Sequence, residues 1–301
     1  MKRIVSISLG SSERDKKVEV DLLGERFSVE RVGTDGNITR AVELLRELDG
    51  KVAVFGMGGI DFSVRSGRRK WMLRDALRIA RTPRLTPIVD GGGVKDTLER
   101  KIVHDLERVY GIPVRGRRVL VTSAVARFAM AEAFVQAGAK CLFGDLMFVL
   151  ELPIKIWSMA GIDRVARTIA PVACRLPISV LYPTGEAQKK SRPKFRDAYD
   201  WAEFVTGDYH FIHRFMPERL DGKIVFTNTV TARDVEELTA KGVSWLITTS
   251  PEMEGRSFAT NVIEAMLVAL SGKPPGELTE ADYLDLFERA GLKPRVERLN
   301  S

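Results

Sequence analysis

The chain has few residues of the types that build disulfide frameworks and metal sites, with two cysteines and three histidines in 301 residues. Cys141 and Cys174 are too few and too far apart for a disulfide network or a cysteine zinc cluster. Asp208, His210 and His213 lie close in sequence, but their spacing matches no zinc signature. We therefore expect no metal, and a reducing, cytoplasmic location.

Long uncharged apolar runs are also absent. The most apolar window, CLFGDLMFVLELPIKIW, contains Asp145, Glu151 and Lys155 and is too short to span a bilayer. The amino-terminal sequence MKRIVSISLGSSERDKK becomes charged too early for a signal peptide. These patterns predict no membrane association.

Positively charged residues are in slight excess, with 47 Lys and Arg against 40 Asp and Glu and a formal charge of +7. The basic residues are scattered in RSGRRK (65–70), RGRR (115–118) and KKSRPKFR (189–196), without the interleaved aromatics of a single-strand-binding surface. Nucleic acid is therefore not the expected partner. The excess fits a small anionic substrate or a solvated charged surface.

Apolar patterning alternates between strand and helix along both halves of the chain. KVEVDLLGERFSVERV predicts a hairpin that turns at Gly24-Glu25, and NITRAVELLRELDG predicts a helix capped by Asn37 and ended by Gly50. This alternation predicts an α/β fold with two Rossmann-like domains, whose mainly parallel sheets flank a cleft. We expect a substrate-side domain in residues 1–115. Residues 116–301 would form a dinucleotide-binding-like domain with an insertion near 146–200, its last helices packing back on the first domain.

The segment VDGGGVKDTLERK joins a strand to a long helix through three glycines. Glycines let backbone approach a ligand, and the amides at the start of the helix attract anions. Asp90 would act as a base on a hydroxyl, and Lys95 would add a positive charge. The alternative is a strand-to-helix turn whose glycines only satisfy backbone angles. The segment is not a P-loop, because no Gly-Lys-Ser/Thr closes it.

The segment RVLVTSAVARFAMAEAFVQAGAKCLFGD has the length of the first half of a dinucleotide-binding unit. Asp145 ends its second strand, where an acidic residue binds a ribose hydroxyl. The loop TSAVARF has no glycine, and Arg127 would compensate by pairing with a phosphate. The predicted NAD or NADP ligands are Thr122, Ser123, Ala124, Arg127, Asp145, Thr227, Asn228, Thr248 and Thr249.

Polar or glycine-rich residues follow other strands as well, where open parallel sheets bind ligands. His210 is a candidate for proton transfer, because its pKa is ordinarily near neutrality. Hydroxyl groups near Arg256 suit a carboxylate or phosphate. The candidate substrate-binding residues are Gly58, Gly59, Asp61, Gly91, Gly92, Gly93, Arg256, Ser257 and Asn261.

The succession of VDGGGVKDTLERKIVHDL and RGRRVLVTSAVARFAMAEAF resembles the junction between the two domains of shikimate and quinate dehydrogenases. SFATNVIEAMLVALSGKPP looks like the closing helix of that family, and the chain is similar to bacterial proteins labelled quinate 5-dehydrogenase. The resemblance implies NAD(P)-dependent oxidation of a small hydroxylated carboxylic acid, with Asp90 as the catalytic aspartate that works with a lysine. The family's Asn-Val-Thr-x-Pro-x-Lys motif is absent here, so no lysine carries over.

Two other functions remain open. One is a non-redox enzyme or binding protein whose tandem Rossmann-like domains recognise a nucleotide or phosphorylated small molecule. The other is a basic scaffold associated with nucleic acid. The sequence does not decide between a monomer and a homodimer.

Overall fold

The computed structural model describes residues 1–67, 69–177, 191–253 and 256–301, with the side chains of 251–253 and 256–257 outside the description. Its first half alternates strands and helices as predicted. The elements are β1 (Lys2–Ser8), β2 (Lys16–Leu22), β3 (Glu25–Gly33), α1 (Ile38–Leu48), β4 (Val54–Gly58), β5 (Ser63–Ser66), β6 (Arg69–Met72), α2 (Arg74–Ala80), β7 (Ile88–Val89) and α3 (Gly92–Tyr110).

The first sheet has the strand order β2-β3-β1-β4-β7. All its pairs are parallel except the predicted hairpin β2–β3, whose turn contains Gly24 at a φ of 77°. Asn37 caps α1 by accepting a hydrogen bond from the Arg40 amide. The carboxyl ends of β4 and β7 therefore lie side by side and carry Asp61 and Asp90 into the same edge of the sheet.

The second half continues the alternation around another sheet. Its elements are β8 (Arg118–Val121), α4 (Phe128–Gln136), β9 (Lys140–Phe143), α5 (Asp145–Phe148), α6 (Met159–Ala173), α7 (Arg196–Trp201), β10 (Phe204–Thr206), α8 (Tyr209–Phe215), β11 (Ile224–Thr227), α9 (Ala232–Ala240), β12 (Trp245–Met253), β13 (Arg256–Ser257), α10 (Thr260–Ser271), α11 (Glu280–Arg289) and β14 (Pro294–Arg298).

The strand order of the second sheet is β13-β12-β11-β10-β8-β9, with β14 antiparallel to β12. Strands β9, β8, β10, β11 and β12 are parallel. The predicted fold class, two Rossmann-like domains with mainly parallel sheets, is confirmed. Within the described ranges, no helix is long and apolar enough to cross a membrane.

Two helices join the sheets. α3 packs against α4 and α11, and α10 packs against β4, β1 and α3 of the first half. Asn261 of α10 donates a hydrogen bond to Ser6 of β1 at 2.9 Å. One hydrophobic core consequently runs from the first sheet through α3 and α10 to the second sheet.

The structure shows the local conformation of several segments that the sequence singled out. The glycine-free loop precedes a helix that begins at Phe128, and residues 209–215, which contain His210 and His213, form α8. The basic run at 65–70 belongs to the β5–β6 hairpin, which contacts the second half through the Arg65 amide and the Val125 carbonyl. The predicted insertion near 146–200 lies partly outside the described residues, and its end forms α7.

Candidate active site

Lys95 and Asp61 form an ion pair between the helix after β7 and the loop after β4. The Lys95 Nζ lies 2.7 Å from Asp61 Oδ1, and the lysine side chain is 8% exposed. Burial alone would lower the pKa of Lys95, but the attractions of Asp61, Asp208 and Asp90 together outweigh it and raise the pKa. Lys95 is therefore a fixed cation, and the Asp61 side chain, 20% exposed, gives the pair partial access to solvent.

Several neighbouring charges, as well as burial, affect the pKa of Asp61. Burial raises the pKa of its carboxyl group, against the attraction of Lys95, and the charges of Asp208 and Asp90 raise it further. Because Asp208 follows β10 of the second sheet, the carboxyl ends of the two sheets bring their charged residues within reach of one another. This convergence defines the candidate site.

Asp90 holds the loop that contains Asp61. Its two carboxylate oxygens accept hydrogen bonds from the backbone amides of Phe62 at 2.5 Å and Gly92 at 3.0 Å. Phe62 is the next residue after Asp61, so Asp90 fixes Asp61 relative to the first turn of α3. The structure thus gives Asp90 an orienting role within the protein.

The three glycines after Asp90 have close neighbours within the chain. A Cβ on Gly91, whose φ is 89°, would lie 2.5 Å from Thr260 Oγ1, and a Cβ on Gly93 would lie 2.5 Å from the Tyr283 hydroxyl. A Cβ on Gly92 would lie 2.9 Å from the Asp90 carboxylate. The close approach that Gly91 and Gly93 permit is that of α10 and α11.

Arg127 lies at the centre of a buried ionic network. Its guanidinium group donates to Glu99 of α3 and to Asp208 after β10, and its side chain is 3% exposed. Ser123 also donates to Asp208, at 3.2 Å, and Thr249 donates to Glu99 at 3.3 Å. Arg127 is fully engaged by two carboxylates, so its guanidinium group is not available to a phosphate.

Asp145 accepts hydrogen bonds from the glycine-free loop instead of facing an open pocket. Its carboxylate receives the amides of Ala124 at 3.0 Å and Val125 at 2.9 Å. Burial raises the pKa of Asp145 to about 6, against these two hydrogen bonds. The loop amides at the start of α4 are therefore bonded to a carboxylate of the same chain.

The remaining candidates after the strands of the second sheet donate hydrogen bonds to other groups at the same strand ends. Thr227 donates to the Gly207 carbonyl at 2.8 Å, Thr248 to the Ser250 carbonyl at 2.8 Å, and Asn228 to Asp208 at 3.4 Å. Thr122 donates to the Thr206 carbonyl at 3.1 Å. These contacts hold the strand ends together.

Gly58 and Asn261 belong to one contact between β4 and α10, whereas Gly59 lies against the segment after β1. A Cβ on Gly58 would lie 3.3 Å from Asn261 Nδ2, and Gly59 has a φ of 76° beside Leu9 and Gly10. The side chains of Arg256 and Ser257 lie outside the described residues.

His210 is near the ionic network. Burial lowers the pKa of its imidazole, against the attraction of Asp208, which favours a neutral ring. Among the described residues, no group of three or more His, Cys, Asp or Glu side chains could hold a metal ion.

Sequence reasoning missed two buried carboxylates, Glu99 and Glu264. Glu264 of α10 accepts hydrogen bonds from the Gly93 amide at 3.0 Å and the Tyr283 hydroxyl at 2.7 Å. Burial and the neighbouring charge of Asp90 raise its pKa to about 7. The sequence contains a signal for Glu264, because this residue lies three positions after Asn261 in an otherwise mainly apolar helix.

Two family models cover most of the chain. The one described as Domain of unknown function (DUF8754) matches residues 93–299, and the one described as Domain of unknown function (DUF8753) matches residues 3–90. No curated protein was found to match the chain.

Solved structures with a similar arrangement include two kinds of protein. A hetero-hexameric glutamate dehydrogenase from Thermus thermophilus is 14% identical, with a TM-score of 0.43 over 97% of this chain and 76% of that chain. An NAD-dependent malic enzyme from Thermotoga maritima is 11% identical, with a TM-score of 0.37 over 96% and 84%. A substrate-binding protein of a sugar ABC transport system from Bordetella parapertussis is 12% identical, with a TM-score of 0.36 over 97% and 82%. Similarities of this size do not identify an activity.

Proposed function

We propose that this chain, which belongs to the family described as Domain of unknown function (DUF8754), catalyses a reaction at a hydroxyl group of a small polyhydroxylated molecule. The observation that carries the proposal is the pair of Lys95 and Asp61, 2.7 Å apart, with Asp90 fixing the loop beside it. A lysine cation and an aspartate at one point are the groups needed to bind a hydroxyl oxygen and accept its proton.

The charges around the pair favour hydroxyl groups over phosphates. Asp61, Asp90 and Asp208 supply three carboxylates, while Lys95 and Arg127 supply two cations, and Asp61 and Lys95 are each influenced by the charges of the other four groups. A dianionic phosphate here would meet uncompensated negative charge, whereas hydroxyl groups donate to carboxylates. This reasoning argues against a phosphorylated ligand at this point in the cleft.

The proton transfer follows from the residues themselves. The O–H bond of the substrate breaks, its proton passes to the Asp61 carboxylate, and the Lys95 ammonium stabilises the negative charge left on the oxygen. The raised pKa of Asp61 makes it a better proton acceptor than an exposed aspartate. Asp90 acts as a positioning residue through the Phe62 amide.

In its first form, the reaction is the oxidation of a hydroxylated carboxylic acid, as the resemblance to quinate and shikimate dehydrogenases implies. Lys95 then takes the place of the lysine whose motif is absent. A nicotinamide cofactor would supply the hydride acceptor in such a reaction. The residues at the predicted cofactor loop do not fit its pyrophosphate, because Asp145 occupies the amides of Ala124 and Val125 and Arg127 is paired with Glu99 and Asp208.

The second form is a non-redox reaction at the same hydroxyl group. It is favoured because the amides of Ala124 and Val125 are bonded to Asp145 and do not fit the pyrophosphate of a nicotinamide cofactor. Both forms use Lys95 and Asp61 in the same way and differ in the need for NAD or NADP. The test is incubation with a panel of polyhydroxylated acids and neutral sugars, with and without each cofactor. Nicotinamide absorbance would report oxidation, and product analysis by NMR would report a cofactor-independent reaction. Turnover that survives in both Lys95→Met and Asp61→Asn would contradict the proposal.

A further inference from the structure

A second cavity lies at the opposite edge of the first sheet from the candidate active site. It has a volume of about 450 Å³ and lies between α1, α2 and the segment that leads into β7. The neighbouring strands β4 and β7 begin at this edge, at Val54 and Ile88. The cavity is thus separate from the ends of those strands, where Asp61 and Asp90 lie.

Four arginines line this cavity: Arg46, Arg78, Arg81 and Arg84. Asp49 is the one carboxylate in the lining, so the formal charge of the ionisable side chains is four positive and one negative, or +3. The ion pairs found on α1 and α2, Arg40 with Glu43 and Arg74 with Asp75, involve none of these four arginines. Like charges grouped in this way repel, and an anion between them would relieve that repulsion.

The carboxylate of Asp49 is engaged in hydrogen bonds to the backbone. Its carboxylate accepts the backbone amides of Arg84 at 2.7 Å, Leu85 at 3.0 Å and Thr86 at 2.8 Å. The Gly50 amide donates to Thr86 Oγ1 at 2.7 Å, which ties the same segment to the end of α1. These bonds fix the backbone that carries Arg84 against the end of α1, which also lines the cavity.

We propose that this arginine cavity binds a compact ligand with several phosphate groups, such as a nucleoside triphosphate or a polyphosphate. Guanidinium groups bind phosphate oxygens in pairs of parallel hydrogen bonds. The volume is within the range of small-molecule sites, roughly 300–1,000 Å³. A small cluster of exposed arginines around one cavity suits a compact polyanion better than the extended backbone of a nucleic acid, which needs a continuous basic groove.

The test is calorimetric titration of the whole protein at low salt with ATP and with inorganic tripolyphosphate. The double variant Arg78→Gln/Arg81→Gln should weaken binding of both probes by about tenfold or more, because each substitution removes charge-assisted hydrogen bonds. The double variant Arg164→Gln/Arg233→Gln removes the same charge from exposed positions on α6 and α9 and should leave the dissociation constants within about twofold. Equal affinity for the two probes would identify phosphate groups as the recognised chemistry, and tighter ATP binding would identify a nucleotide.

The inference is overturned if neither probe binds at millimolar concentration, or if both double variants lose affinity equally. It is also overturned if a single-stranded RNA oligonucleotide binds more tightly than tripolyphosphate and loses its affinity in Arg78→Gln/Arg81→Gln. Lys95→Met should not change tripolyphosphate binding, so failure at this cavity is distinct from failure of the proposed function.

Discussion

The carboxylate of Asp145 accepts the backbone amide of Ala124 at 3.0 Å, across the loop where Rossmann-like domains usually receive a pyrophosphate. The same carboxylate accepts the amide of Val125 at 2.9 Å. The chain therefore supplies its own anion to the start of α4. This relationship explains how a loop without glycine is stabilised in this fold.

Replacing Asp145 should cost stability and expose the loop amides. Asp145→Ala removes two hydrogen bonds to a charged group, so we expect a loss of about 2–4 kcal/mol in the free energy of unfolding. The freed amides should then bind anions, and NAD or ADP should protect the variant more than the wild type in thermal unfolding. The exposed Asp221→Ala is the matched control. An Asp145→Ala variant as stable as the wild type would show that the two hydrogen bonds contribute nothing.

The ionic network around Arg127 should be the most sensitive charged feature of the fold. Arg127→Met leaves Glu99 and Asp208 buried without their partner and should lower the free energy of unfolding by about 3–5 kcal/mol. Urea denaturation gives the value, and exposed Arg233→Met should stay within about 0.5 kcal/mol of the wild type. A loss below about 1 kcal/mol for Arg127→Met would mean that solvent reaches the two carboxylates.

Gly93 should not tolerate a side chain, although it lies within a helix. Alanine ordinarily stabilises a helix by up to about 1 kcal/mol over glycine. Here the added Cβ would lie 2.5 Å from the Tyr283 hydroxyl and 2.6 Å from Glu264 Oε1, and such overpacking costs about 1–3 kcal/mol. We expect Gly93→Ala to lower the melting temperature, while Gly276→Ala, whose Cβ meets no atom within 4 Å, should not. A stabilised Gly93→Ala would refute the packing of α11 against α3.

The pH dependence of stability should report Glu264. Its pKa is raised from 4.5 to about 7 in the folded chain, so between these pH values the folded state binds more protons than the unfolded state. Its contribution to stability is fully present below pH 4.5 and is lost as the pH rises through 7, on the order of 3 kcal/mol. Glu264→Gln keeps an acceptor for Gly93 and Tyr283 and should be more stable than the wild type at pH 8 but not at pH 4.5. The exposed control Glu277→Gln should leave the stability unchanged at both pH values. If Glu264→Gln keeps the pH dependence of the wild type, Glu264 is not the group responsible for it.

The sequence predicted the strands, most helices and their alternation, because these depend on local apolar spacing and on caps such as Asn37. It also selected Asp90, Lys95 and Asp61 from their places after strands. It did not reveal that Lys95 pairs with Asp61, since that contact joins residues 34 positions apart through the sheet.

The buried charges of α3 were harder to recognise. Lys95, Glu99, Ile102 and Leu106 follow one another at spacings of four, three and four and are all buried on the helix. A charged residue on such a stripe indicates a buried partner, but only the folded chain shows that Glu99 bonds to Arg127. The sequence predicts room for a ligand at the glycines after Asp90, because it does not show that α10 and α11 lie against them.

The most direct measurement for the central claim is calorimetric titration of a panel of polyhydroxylated acids and sugars into the wild type, Lys95→Met and the exposed control Lys293→Met. The account predicts that a ligand of this class binds the wild type and Lys293→Met alike, and that Lys95→Met weakens its binding by about tenfold or more through loss of a charged hydrogen bond. Circular dichroism would verify that all three proteins are folded. Equal affinity of all three proteins for that ligand, or a wild type that binds no polyhydroxylated compound, would contradict the account.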